Sequence, residues 1–179
     1  MTTLPGRTRR LSTFLEALSY LAIGGIVLVG LYAGFNLAQL AEQRAAALGL
    51  PDQIWPIGET AMMLLYLAGW ISLAAISYTL WQMSRLFRSY RHDAPLTEET
   101  AKITRRIGLG FVAQGLIGLL GDTAEGLILS IDAPVGHRVL VVSVESQDMA
   151  FLLAGGVLVL IGLVMAQAME AVRENEAFV

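Results

Sequence analysis

The chain has no cysteine, two histidines and five prolines in 179 residues, and only 15% of it is charged. Without cysteine there is no disulfide, no thiolate metal site and no cysteine nucleophile, and two histidines leave little for zinc or haem. The formal net charge of −3 is too small to imply nucleic-acid binding by bulk electrostatics. Soluble domains carry roughly 25% charged and 45–50% apolar residues. A chain this short with 55% hydrophobic residues and a mean hydropathy of +0.62 has too little polar surface to cover itself in water. It reads as an integral membrane protein.

Four apolar stretches reach the roughly 20 residues that a helix needs to cross about 30 Å of hydrocarbon. They run over about 14–40, 60–83, 107–131 and 149–169, with a polar loop at 84–106 and a polar tail at 170–179. Bilayer hydrocarbon offers no partner for peptide groups, so single spans of this composition are helices, and the alternation a barrel requires is absent. The expected fold is therefore an all-α membrane domain, four transmembrane helices in an antiparallel bundle. The first span is too long for a removable signal peptide and lacks a small-residue cleavage site, so it is expected to be retained.

Basic residues set the direction. Arg44 and Arg138 are the only two of the twelve Lys and Arg that fall in the two loops opposite the termini. The positive-inside rule then places both termini and the loop 84–106 in the cytoplasm. Within that loop Pro95 stops one helix, Thr97 is set to cap the next, and Glu98 and Glu99 suit its first turn. On the other side Pro51 and Pro56 interrupt the first loop, with Trp55 as an interface anchor. The second outer loop has β-prone runs at 128–131 and 139–144 around a turn-forming segment, which suggests a short hairpin, and Ser146 or Asp148 would cap the last helix.

Charges inside a bilayer cost at least about 2.5–3.5 kcal/mol on insertion scales, so a charged residue within a span is a functional candidate. Asp122 and Glu125 are three apart on one helical face, about 22 and 27 Å beyond Ile107 at about 1.5 Å per residue. Together with His137 they form either a small ion- or proton-binding cluster or the outer rim of the bundle, paired with Arg138 or water. Glu16, near the cytoplasmic side, is expected to pair with Arg9, Arg10 or Arg173. Asn36, Gln39, Gln114 and Gln167 suit interhelical hydrogen bonds. Gly30 and Gly34 form a GxxxG step, Gly115, Gly118 and Gly121 follow in the third span, and Gly162 and Ala166 in the fourth, all suited to close helix contact. No HExxH, GxSxG, Walker loop or strand-linked GxGxxG occurs, so a non-enzyme without cofactor or metal is expected. His92 and His137 fall on opposite sides of the membrane in this threading.

The segment 83–108, MSRLFRSYRHDAPLTEETAKITRRIG, resembles the central signature of a bacterial membrane family, Domain of Unknown Function 2975. Leu86, Phe87, Tyr90, Leu96, Thr97, Glu99, Arg105, Arg106, Ile107 and Gly108 carry that resemblance, and the tail residues Glu174, Asn175, Glu176 and Val179 resemble the family's closing run. It implies a small four-helix protein of the bacterial inner membrane with no activity attached, some members being encoded beside a small helix-turn-helix regulator. Both signature segments lie on the cytoplasmic side of the expected threading. The acidic tail then either folds onto the basic loop, Glu170, Glu174 and Glu176 against Arg88, Arg91 or Arg105, or both receive a partner, with Tyr90, Thr97, Arg106 and Asn175 as further interface candidates. The leading expectation is a protein that acts through protein–protein contacts, as a regulatory partner or as an accessory or assembly subunit of a membrane complex. Its partners would be the bilayer and either another protein or further copies of itself, with no direct nucleic acid. The alternative is a small transporter or ion-conducting oligomer built on Asp122 and Glu125.

Overall fold

The computed structural model describes residues 6–50, 56–91, 97–134 and 140–177, with side chains from 9 to 174 within those ranges. Five helices follow in order: α1 (Gly6–Gly34), α2 (Leu37–Ala47), α3 (Glu59–Arg91), α4 (Glu98–Leu129) and α5 (Ser146–Ala177). α1, α3, α4 and α5 each contain a stretch long and apolar enough to cross a membrane. Among the described residues there is no strand. The first half of the expected hairpin is absorbed by the end of α4, residues 140–145 are irregular, and residues 135–139 lie outside the described residues.

The largest departure from the expected spans lies in the first, which stops at Gly34 rather than continuing to residue 40. Phe35 and Asn36 donate their amides to Tyr32 and Ala33, three residues back, and Asn36 takes a non-helical φ of −133°. Its side-chain amide donates to the carbonyl of Tyr32 at 3.2 Å, the local competition for backbone that makes asparagine a helix breaker. α2 then starts afresh and closes in a Schellman turn. The amide of Leu50 donates to Ala45 O and that of Gly49 to Ala46 O, both at 3.1 Å, with Gly49 at φ +65°. Glycine is suited there because a Cβ strains the left-handed region.

Thr97 caps α4 as expected. Its hydroxyl accepts from the amide of Thr100 at 3.1 Å, and its own amide donates to the Thr100 hydroxyl at 2.9 Å. Thr100 takes the place that glutamate holds in the usual capping box. α3 is helical to Arg91, about two turns past the apolar stretch, so the expected loop 84–106 is largely helix. Ser146 opens α5, and Asp148 lies inside its first turn.

The long helices pack in the order α1, α3, α4, α5. Among the described residues no Cα of α1 comes within 8 Å of α4 or α5, nor any of α3 within 8 Å of α5. Glycines form the seams of this row. An ideal Cβ on Gly108 would lie 2.6 Å from Val159 N and 2.7 Å from Gly155 O, and one on Gly162 would lie 2.8 Å from Arg105 N. Gly115 meets Asp148 and Leu152 in the same seam, so partners on α5 fall in number as those on α4 rise. Gly30 approaches Leu73 and Trp70, Gly34 approaches Tyr66, and Gly110 leaves room for Thr79. Because lipid is as apolar as leucine, such close contact rather than the hydrophobic effect holds spans together. An apolar cluster of Ala41, Ala45, Leu65 and Leu129 seats α2 on α3 and α4.

Candidate functional site

Polar chemistry gathers at the two ends of the row. At the end where α1 and α4 begin and α3 and α5 finish, α1 presents Ser12, Glu16 and Ser19, spaced four and three apart on one face and all buried. Glu16 is 7% exposed. Arg88 Nε donates to its Oε1 at 3.0 Å, a second Arg88 nitrogen donates to the Tyr20 hydroxyl at 2.9 Å, and Arg91 lies 3.2 Å from Oε2. The partners are thus Arg88 and Arg91, not Arg9, Arg10 or Arg173. The two extra turns of α3 produce this, carrying both arginines on one helical face alongside α1. Their i, i+3 spacing was the available signal.

The other cations at this end divide cleanly. Arg85 pairs with Glu99 at 3.1 Å and stacks over Trp81, 5.4 Å from the ring centroid. Lys102 and Arg173 share Glu98, at 3.1 and 3.7 Å. Arg9, Arg10, Arg105 and Arg106 have no ion pair among the described residues. The expected closure of the acidic tail onto the basic loop is not made by the described residues: Glu170 and Glu174 are exposed and unpaired, and Arg88 and Arg91 turn to α1 instead. Tyr90 is half-buried. The side chains of Asn175 and Glu176 and all of His92 lie outside the described residues.

At the opposite end Arg44 is the one cation among the described residues. Its Nε lies 3.4 Å from Oε2 of Glu125, which is 7% exposed. Asp122 instead accepts from the Ser143 hydroxyl, and Asp132 accepts from the amide of Gly58 at 3.0 Å, tying the start of α3 to the end of α4. The two carboxylates of the expected cluster therefore turn to separate partners, one on α2 and one in the α4–α5 connection. The expected third member, His137, and the expected partner, Arg138, lie outside the described residues. No group of three histidine, aspartate or glutamate side chains among the described residues could hold a metal ion. Asp148, expected only as a helix cap, is 8% exposed and lies beside Gly118, which is one turn before Asp122.

The small-residue positions do internal packing: Gly30 and Gly34 serve α3, and Gly30 lines a cleft of about 210 Å³ between α1, α2 and α3 with Tyr66, Trp70 and Arg44. Of the amides, Asn36 bonds back to the last turn of α1 rather than across helices, Gln39 and Gln167 lie at the surface, and a buried oxygen of Gln114 has no hydrogen-bond partner.

Residues 38–179 match the family described as "Protein of unknown function (DUF2975)". The chain belongs to that family. The match takes in α2 to α5 and both family-like segments, Met83–Gly108 and the tail, and leaves out α1. Members of the family therefore share with this chain the capped start of α4, the arginines of α3 and the glycine seam between α4 and α5 only so far as each keeps those residues. No curated protein and no solved structure matches the chain.

Proposed function

We propose that this chain is a non-enzymatic multi-pass protein of the bacterial inner membrane that acts through protein–protein contacts, as a regulatory partner or as an accessory or assembly subunit of a membrane complex. The four long helices form an antiparallel unit with both termini in the cytoplasm. One observation carries this reading: the row is open. α1 packs along α3 and α5 along α4, with no approach between α1 and α5, so each edge helix keeps an apolar side along its length. Exposed Leu21, Leu28 and Tyr32 on α1 and Leu153, Val157 and Leu160 on α5 lie on those edges. Lipid covers such surfaces, and so does a neighbouring span, with glycines open to close approach at Gly24, Gly25 and Gly156. The transport alternative is the weaker reading, because Glu125 is committed to Arg44 and Asp122 to Ser143.

Purification of the full chain in mild detergent followed by mass spectrometry tests the proposal. A stoichiometric second protein is the expected result. A pure homo-oligomer whose cation flux in proteoliposomes disappears with D122N would overturn it in favour of transport.

A further inference from the structure

Among the cations at the basic end, Arg85, Arg88, Arg91, Lys102 and Arg173 all have carboxylate partners, and Glu16, Glu98 and Glu99 are used in making those pairs. Arg9, Arg10, Arg105 and Arg106 remain, exposed and unpaired among the described residues, and of these Arg9 and Arg10 lie within the first two turns of α1. That placement is unfavourable within the chain itself. The positive end of the helix dipole repels them, and no acidic residue occupies the first turn of α1.

What surrounds the pair supplies the missing term. Arg9, Arg10, Thr13, Phe14 and Ala17 line an open recess of about 620 Å³. Thr13 donates its hydroxyl to the carbonyl of Arg9 at 3.0 Å, so the guanidinium groups are the free donors of the recess. Leu11 and Phe14 are 58% and 62% exposed, and Leu18 and Leu21 continue that apolar surface along the helix. Two guanidinium groups thus stand where hydrocarbon-facing side chains begin. An acidic protein loop would meet the charges but has no use for the apolar side chains just below them.

We infer that Arg9 and Arg10, above Phe14, bind the phosphate of an anionic phospholipid, with its acyl chains lying along Leu11, Phe14 and Leu18. The inference rests on the membrane reading of α1. Guanidinium forks match phosphate oxygens, and each basic residue near an anionic leaflet contributes about a fivefold preference.

The full chain, purified in mild detergent and mixed with equimolar phosphatidylglycerol and phosphatidylcholine, gives the test by native mass spectrometry of the lipid retained. R9Q/R10Q is expected to lower the phosphatidylglycerol preference by about 25-fold and each single variant by about fivefold. R9K/R10K should keep most of it. K102Q/R173Q removes the same formal charge at the same end and should stay within about threefold of wild type, since its cations are already paired. The inference is overturned if R9Q/R10Q stays within that threefold window, or if K102Q/R173Q loses as much and bulk charge is the cause. It is also overturned if the arginine pair instead retains a stoichiometric acidic polypeptide. Should the double variant fail to fold, the fivefold losses expected of R9Q and R10Q separately decide the same question. Failure of α1 to insert in a protease-protection assay would sink the membrane reading itself, whereas unchanged lipid selectivity in inserted protein sinks this inference alone.

Discussion

Replacing Gly108 by alanine tests the physical basis of the fold most directly. The new Cβ would lie 2.6 Å from Val159 N, 2.7 Å from Gly155 O and 2.8 Å from a Val159 methyl. Two of these neighbours are backbone atoms of α5, so no side-chain rotation relieves the contact. Carbon atoms settle at about 3.5–4.0 Å, so the seam must open by roughly 0.8 Å, and gaps of that size forfeit a quarter to a half of each dispersion contact. Overpacking of this kind costs about 1–3 kcal/mol. Alanine also returns up to about 1 kcal/mol of helix propensity, which must be separated out. Gly156 provides the control, because a Cβ there meets nothing within 4 Å. G156A should be neutral or stabilising, and G108A should fall about 1–3 kcal/mol below it. G155A faces Gly108 O and Val112 N at 2.7 Å and should resemble G108A, with the double variant less than additive because both open one seam. The chain has no cysteine, so a dye pair on K102C and V172C reports α4–α5 separation without background during a titration with denaturing detergent. A difference below about 0.5 kcal/mol between G108A and G156A would refute glycine packing as the force holding this pair.

E16Q should lower the melting midpoint more than R88Q or R91Q alone, because one carboxylate serves both arginines; equal losses from E16Q and R88Q in a detergent melt would show that Arg91 contributes nothing. R44Q leaves Glu125 buried without a counter-charge and should cost about 1–3 kcal/mol, toward the lower end since Arg44 is half exposed, and adding E125Q should recover most of it. Failure of that recovery in equilibrium unfolding would separate the role of Arg44 from Glu125. G49A places an alanine at φ +65° and should cost about 1–2 kcal/mol, measured by the same unfolding titration; a neutral result would mean that the turn after α2 rearranges freely. Reporter fusions after Arg10, at Asp93 and after Val179 should report cytoplasm, and those near Asp52 and Gly136 the outside; Asp93 reporting outside would overturn the proposed threading.

The helical class and the four long apolar helices were legible in the string of residues, because hydrocarbon thickness and the need to satisfy every peptide group act directly on composition and length. The start of α4 was legible too, since capping is a contact between Thr97 and Thr100 only three residues apart. The closing of α1 was less so: Asn36 interrupts an apolar run without altering its mean hydropathy much, and the turn is a matter of backbone hydrogen bonds that the average does not see. Which charges meet was settled only by helix packing. Glu16 lies 72 residues from Arg88, and Glu125 far along the chain from Arg44, so their pairing depends on which helices are neighbours and how far α3 extends. The open order of the row was equally beyond the sequence, because glycines mark where helices can approach but not which helix comes. Gly108 and Gly156 are the same residue in two similar apolar contexts, and the position of α5 against α4 makes one a contact with backbone and leaves the other in open space.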